Sequence, residues 1–94
     1  MAKFLMMGKY SIEAMNEVSS KRTEKAVAMI KDAGGSVESM YALLGNYDLV
    51  LIVDFPGIKD AIRTSIALTR LTHIAFQTFP AITVAEFDKI TEPK

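Results

Sequence analysis

Hydrophobic and polar positions along this chain change period several times, and each change predicts an element. Residues 3–10 form a short apolar stretch without a helical stripe and predict a first strand. Ser11 then stands where a helix cap is needed, with Tyr10 and Met15 placed as a hydrophobic staple. From there Ile12, Met15, Val18, Ala26, Met29, Ile30 and Ala33 recur at helical spacing, while Glu13, Lys21, Lys25 and Lys31 fall mostly on the other side. Arg22 interrupts that stripe. The Ser19-Ser20 pair before it offers a break between two shorter helices, because serine competes for backbone hydrogen bonds. Gly34-Gly35 ends the helix, glycine being free to adopt the left-handed conformation.

Residues 37–44 and 47–55 predict two strands joined by a hairpin at Gly45-Asn46, both residue types that tolerate positive φ. Pro56-Gly57 opens a second helix whose stripe runs Ile58, Ile62, Ile66, with Ala61 and Ser65 beside it. Residues 72–79 predict the last strand, stopped by Pro80. Thr83 with Glu86 then makes a capping box, and Ile82 with Phe87 its staple, for a short C-terminal helix.

The order strand, helix, strand, strand, helix, strand predicts an α+β, ferredoxin-like βαββαβ domain spanning residues 1–94. Right-handed crossovers put the first and third strands in the centre of a four-stranded antiparallel sheet and the second and fourth at its edges. Residues 49–53, Leu-Val-Leu-Ile-Val, are apolar on both faces, as a central strand covered twice must be. Two helices cover only one face. The other face is expected to stack on the same face of another copy, giving a homodimer or higher homo-oligomer resembling a dimeric α/β barrel. The competing expectation is that the C-terminal segment folds back over that face.

Composition sharpens this reading. Half of the 94 residues are hydrophobic, a high share for a chain with so much surface, which again points to a buried interface. Basic and acidic residues both total 11, so no field attracts phosphate backbones or anionic lipid; neither nucleic acid nor membrane is expected as a partner. The absence of cysteine removes disulfides and thiolate chemistry, and no stretch is apolar for long enough to span a bilayer. These features predict a cytoplasmic protein.

The hairpin Gly45-Asn46-Tyr47-Asp48, followed by Leu-Val-Leu-Ile-Val-Asp-Phe-Pro, resembles the GYD-domain family, named for a glycine, tyrosine and aspartate at this place. The likeness extends to the opening Lys3-Phe4-Leu5-Met6-Met7-Gly8-Lys9-Tyr10, to Gly34-Gly35 and to the closing Ile82-Thr83-Val84-Ala85-Glu86-Phe87. It implies a fold related to dimeric α/β barrels. It assigns no catalytic residue.

Several side chains are candidates for chemistry. Pairing across the hairpin predicts that Tyr41 opposes Val50 and Ser39 opposes Ile52, with Asp48, Tyr41 and Ser39 on one face and Tyr47 on the other. A carboxylate and a phenol on one face can bind or deprotonate a small ligand, but an aspartate beside a turn more often accepts backbone hydrogen bonds. His73, the lone histidine, is a candidate base or axial ligand on a strand face with Gln77; with no orienting carboxylate in view, the stronger expectation is a solvated edge residue. Arg63 lies where it can reach an anion at the helix edge, although most such arginines are solvated. Met6, Met7 and Met40 suit either an adaptable apolar pocket or ordinary packing. No nucleophile triad, phosphate-binding glycine loop or metal motif occurs, so neither cofactor nor metal is expected. Three function classes follow: an oligomer binding a small molecule, such as a small apolar ligand, through Tyr41, Asp48, His73, Gln77 or Arg63; a cofactor-independent, monooxygenase-like enzyme on a small apolar or aromatic substrate; and a structural assembly subunit.

Overall fold

A strand that must be covered on both faces sets the architecture, and two strands meet that description. β1 (Ala2–Tyr10) and β3 (Leu49–Phe55) lie side by side in the middle of a four-stranded antiparallel sheet of order β2-β3-β1-β4, with β2 (Ser36–Ala42) and β4 (Ile74–Ala81) at the edges. The computed structural model describes residues 1–93. Helices α1 (Ile12–Asn16), α2 (Ser20–Asp32) and α3 (Ile58–Thr72) lie within the two crossovers, and α4 (Val84–Thr91) follows β4. This is the ferredoxin-like arrangement the pattern predicts.

Alternation divides the central strands cleanly. Phe4 and Met6 from β1 and Leu51, Val53 and Phe55 from β3 are buried beneath Ile30 of α2 and Ala61 and Leu68 of α3. Phe4 and Phe55 meet edge to face with ring centroids 5.9 Å apart. Each large apolar side chain so buried stabilises the fold by ~1.5–3 kcal/mol, which makes this single cluster the source of most of the cohesion. The alternate residues Leu5, Met7, Val50 and Ile52 point to the opposite face, which no helix covers, and remain partly exposed.

The predicted helix break is real: α1 ends at Asn16, and Ser19 caps α2 by accepting from the Arg22 amide at 3.0 Å. The stripe does not run through it, however. Ala14 is the buried residue of α1, whereas Ile12, Met15 and Val18 are exposed. Arg22, the apparent interruption, ties the two helices together: its Nη1 donates to the Ala14 carbonyl at 2.5 Å and its guanidinium lies 5.5 Å from the centre of the Tyr10 ring.

Three other expectations need correction. In α3 the buried face is Ala61, Thr64, Leu68 and Thr72, and the isoleucines Ile58, Ile62 and Ile66 are exposed. Small residues let α3 approach the sheet closely, and hydroxyls reach their own helix, Thr72 donating to the Leu68 carbonyl at 2.7 Å and Ser65 to that of Ala61 at 2.8 Å. The hairpin is wider than two residues, because β2 stops at Ala42 and β3 starts at Leu49. Finally, β4 begins at Ile74 and runs through Pro80 to Ala81, an edge strand being the one place where a proline is tolerated.

Gly34 has φ of 84°, as the helix stop requires. Gly35 is held by proximity instead: a Cβ there would lie 2.8 Å from the Asp54 carbonyl oxygen and 2.8 Å from the Phe55 ring. The α2–β2 connection therefore presses directly on the end of β3.

Candidate functional site

The uncovered face of the sheet is where the structure leaves chemistry unspent. Its centre is apolar, with Leu5 and Met7 from β1, Val50 and Ile52 from β3, and Phe79 from β4. Tyr41 and Ser39 on β2 stand opposite Val50 and Ile52, in the predicted register.

At one end, Lys3 of β1 meets Glu38 at 2.7 Å and Asp54 at 3.4 Å. A register shift between Val37 and Ser39 makes Glu38 an extra residue of β2 and brings its carboxylate within reach of Lys3. The hydrogen bond that Lys3 donates to Glu38, with that to Asp54 added, holds its ammonium above the ordinary value of 10.5 despite partial desolvation. These charges satisfy one another, beside a recess of about 360 Å³ that Lys3 and Asp54 share with Ile82 and Glu86.

The other end is a recess of about 390 Å³ lined by Lys9, Asn46, Tyr47, Ala75, Phe76 and Gln77. The Tyr47 hydroxyl donates to Gln77 Oε1 at 2.7 Å, and Lys9 Nζ donates to the Asn46 carbonyl at 3.1 Å. Tyr47 thus lies over the same face as Gln77, not on the side opposite Tyr41. The reason is Asp48. Its amide donates to the Gly8 carbonyl at 2.9 Å and its carbonyl accepts from the Leu43 amide at 2.8 Å, while its carboxylate turns back to accept the Tyr10 amide at 2.8 Å. The side chain thereby takes a donor that a continued ladder would have paired with Tyr47, and Tyr47 is released to cross toward β4.

The remaining candidates do not join this cluster. His73 is not a strand residue. It caps the C-terminus of α3 in the left-handed region, φ 60°, with its amide donating to the Thr69 carbonyl at 2.8 Å and its carbonyl accepting from Ser11 Oγ at 2.9 Å. Its ring faces Glu13 of α1, Nδ1 to Oε2 3.8 Å, an acidic neighbour that linear spacing does not reveal. Arg63 is 77% exposed and lies 3.9 Å from Asp60 one turn earlier. The methionines divide, Met6 to the core, Met40 against it and Met7 to the open face, so they form no common pocket. Between sheet and helices a cavity of only about 50 Å³ remains, flanked by Tyr10, Arg22, Leu49 and Phe76, room for a few waters at most. Among the described residues no group of three or more histidine, cysteine, aspartate or glutamate side chains is placed to hold a metal ion. No helix there is long and apolar enough to cross a membrane.

The fold and its open face define a ferredoxin-like α+β protein. Residues 4–91 match the model of the GYD domain, and the chain belongs to that family. No curated protein matches it. Among solved structures, the Mycobacterium tuberculosis leucine response regulatory protein is similar, with a TM-score of 0.58 at 11% identity over 87% of this chain. The match covers 51% of that chain, so this protein spans about half its length and the likeness is one of fold.

Proposed function

We propose that this GYD-domain protein is a homo-oligomer stacked through its open sheet face, and that the stack holds a small molecule with an apolar body and an acceptor or anionic group. The observation that carries the reading is the recess at the end of the apolar face. Apolar side chains supply the floor, the Gln77 amide nitrogen and the Lys9 ammonium supply donors, and a second sheet would convert an open depression into an enclosed site. On the helix side the cavity under the helices is about 50 Å³, and the recesses beside α3 and α2, about 250 and 210 Å³, are smaller than this one. The mycobacterial neighbour is named a leucine response regulatory protein, and that name supports a ligand-responsive reading here. The Asp48 carboxylate, which an enzyme would need as a base, accepts a backbone amide, and the His73 ring faces Glu13 outside the recess, which favours binding over catalysis.

Native mass spectrometry of gently purified protein tests both halves, since it reports copy number and retained mass together. The expected result is an assembly of two or more copies carrying a small ligand. Val50→Lys, whose side chain stands in the middle of the open face beside Met7 and Tyr41, should yield monomers without that ligand. An unpaired buried charge costs several kcal/mol, more than such an interface can spare. A wild-type monomer with no added mass would overturn the reading.

A further inference from the structure

We propose that α4 is an intersubunit clasp, a helix that packs on a second copy of the chain instead of on its own protomer. The inference rests on the stacked-sheet reading and adds the element that completes the interface.

α4 carries its own start signal and an apolar stripe. Thr83 Oγ1 accepts the Glu86 amide at 3.1 Å, one half of a capping box, and donates to the Glu86 carboxylate at 3.3 Å. Val84, Phe87 and Ile90 form one apolar stripe, extended by Ile82 just before the cap, and charged residues take the other side. Yet no residue of α4 is buried and it packs substantially on no other element of its own chain. An isolated helix shorter than ~12–15 residues is marginal in water, so eight residues with a uniform apolar stripe need a surface to lie on.

Two observations identify that surface as another copy. The first is position. Ile82 and Glu86 share a recess of about 360 Å³ with Lys3 and Asp54, at the charged end of the open face, so a copy stacked on that face meets α4 directly. The second is area. Four strands spaced about 4.8 Å apart and about 26 Å long present a footprint of roughly 500 Å². A specific interface buries about 800 Å² per partner. Phe87, 54% exposed, brings about half of the ~150–250 Å² of a whole aromatic side chain, and Ile82, Val84 and Ile90 supply the rest of that gap.

The test is made on the full chain carrying Phe87→Asp and Ile90→Asp together, beside wild type and Val50→Lys, by sedimentation equilibrium, with hydrogen exchange of the α4 amides followed across a dilution series. Neither residue touches the core, so the double variant should keep the sheet and the other helices, losing at most the far-UV signal of the eight residues of α4, while its dimer dissociation constant rises at least a hundredfold. Wild-type α4 amides should be protected when assembled and lose protection on dilution. A dissociation constant within threefold of wild type, with Val50→Lys dissociating, would overturn the clasp and leave sheet stacking intact. Unimpaired assembly of Val50→Lys, with the double variant dissociating, would overturn sheet stacking and place the clasp on another face of the partner. Protection of α4 in a wild-type monomer at every dilution would overturn both, showing α4 folded back on its own sheet.

Discussion

Replacing Asp48 separates the family's hairpin motif from any chemistry at the site. Its carboxylate accepts one backbone donor, the Tyr10 amide, at 2.8 Å in a partly buried setting. The backbone bonds of Asp48 to Gly8 and Leu43 survive any substitution, so a change there reports the carboxylate alone. A hydrogen bond to a charged group is worth ~1.5–3 kcal/mol net, and partial solvent access favours the lower figure. Asp48→Ala should therefore cost about 1.5–2 kcal/mol. For a domain this size, 1 kcal/mol moves the melting temperature by roughly 4–8 °C, which predicts a fall of ~6–16 °C. Asp48→Asn keeps an acceptor without the charge and should lose about 1 kcal/mol, or roughly half that fall. The assay is thermal unfolding by circular dichroism at fixed protein concentration, because oligomer melting depends on concentration. Native mass spectrometry of the same samples should show any ligand still bound. An unchanged melting temperature together with loss of the ligand would refute the structural role and place Asp48 in the site.

Gly35→Ala forces a Cβ against the Asp54 carbonyl and the Phe55 ring; overpacking of this kind costs ~1–3 kcal/mol. The urea midpoint should fall accordingly, and a variant as stable as wild type would show that the α2–β2 connection yields. Leu68→Ala should cost ~2–5 kcal/mol, whereas Ile62→Ala, half-exposed on the same helix, should cost under about 1 kcal/mol in the dissociated protein. The reverse ranking would restore the isoleucine stripe as the packed face. His73→Gly relieves a left-handed residue, worth about 1–2 kcal/mol, less about 0.5–1 kcal/mol of added unfolded-state freedom. Its melting temperature should hold or rise with ligand retention unchanged, and a loss of ligand would assign the imidazole to the site.

Strand order, helix breaks and the central position of β3 were legible because they rest on local rules: alternation, capping serines, glycine stops and right-handed crossovers. The register of Tyr41 and Ser39 against β3 was legible for the same reason, since alternation fixes it once the turn is located. The packed face of α3 was not. Periodicity weights a side chain by hydrophobicity, and three isoleucines outweigh Ala61, Thr64 and Thr72. What selects the buried face is how closely a helix can approach a sheet, and there small residues and self-bonded hydroxyls win. The misplacement of His73 followed from the same limit. A C-cap in the left-handed region usually signals itself as glycine or asparagine, and a histidine there reads as the first residue of the next strand.

The site shows a related inversion, with a physical cause. Aspartate and histidine draw attention in a sequence because they titrate, but they also suit backbone tasks at element ends, where amides and carbonyls lack ladder partners. Asp48 and His73 stand at such ends: the Asp48 carboxylate is taken by an amide of β1, while His73 closes α3 with its backbone and leaves its ring beside Glu13, away from the recess. A glutamine in the middle of an edge strand has no such task, because the ladder already pairs the backbone around it. Gln77 therefore keeps its side chain for the face, where Tyr47 orients it across β1 by a single 2.7 Å bond. The most informative polar residue of this chain is accordingly the one whose surroundings make no structural demand on it. That criterion depends on knowing where elements end, which makes the hairpin boundary at Asp48, more than the identity of any titratable group, the hinge between fold and function.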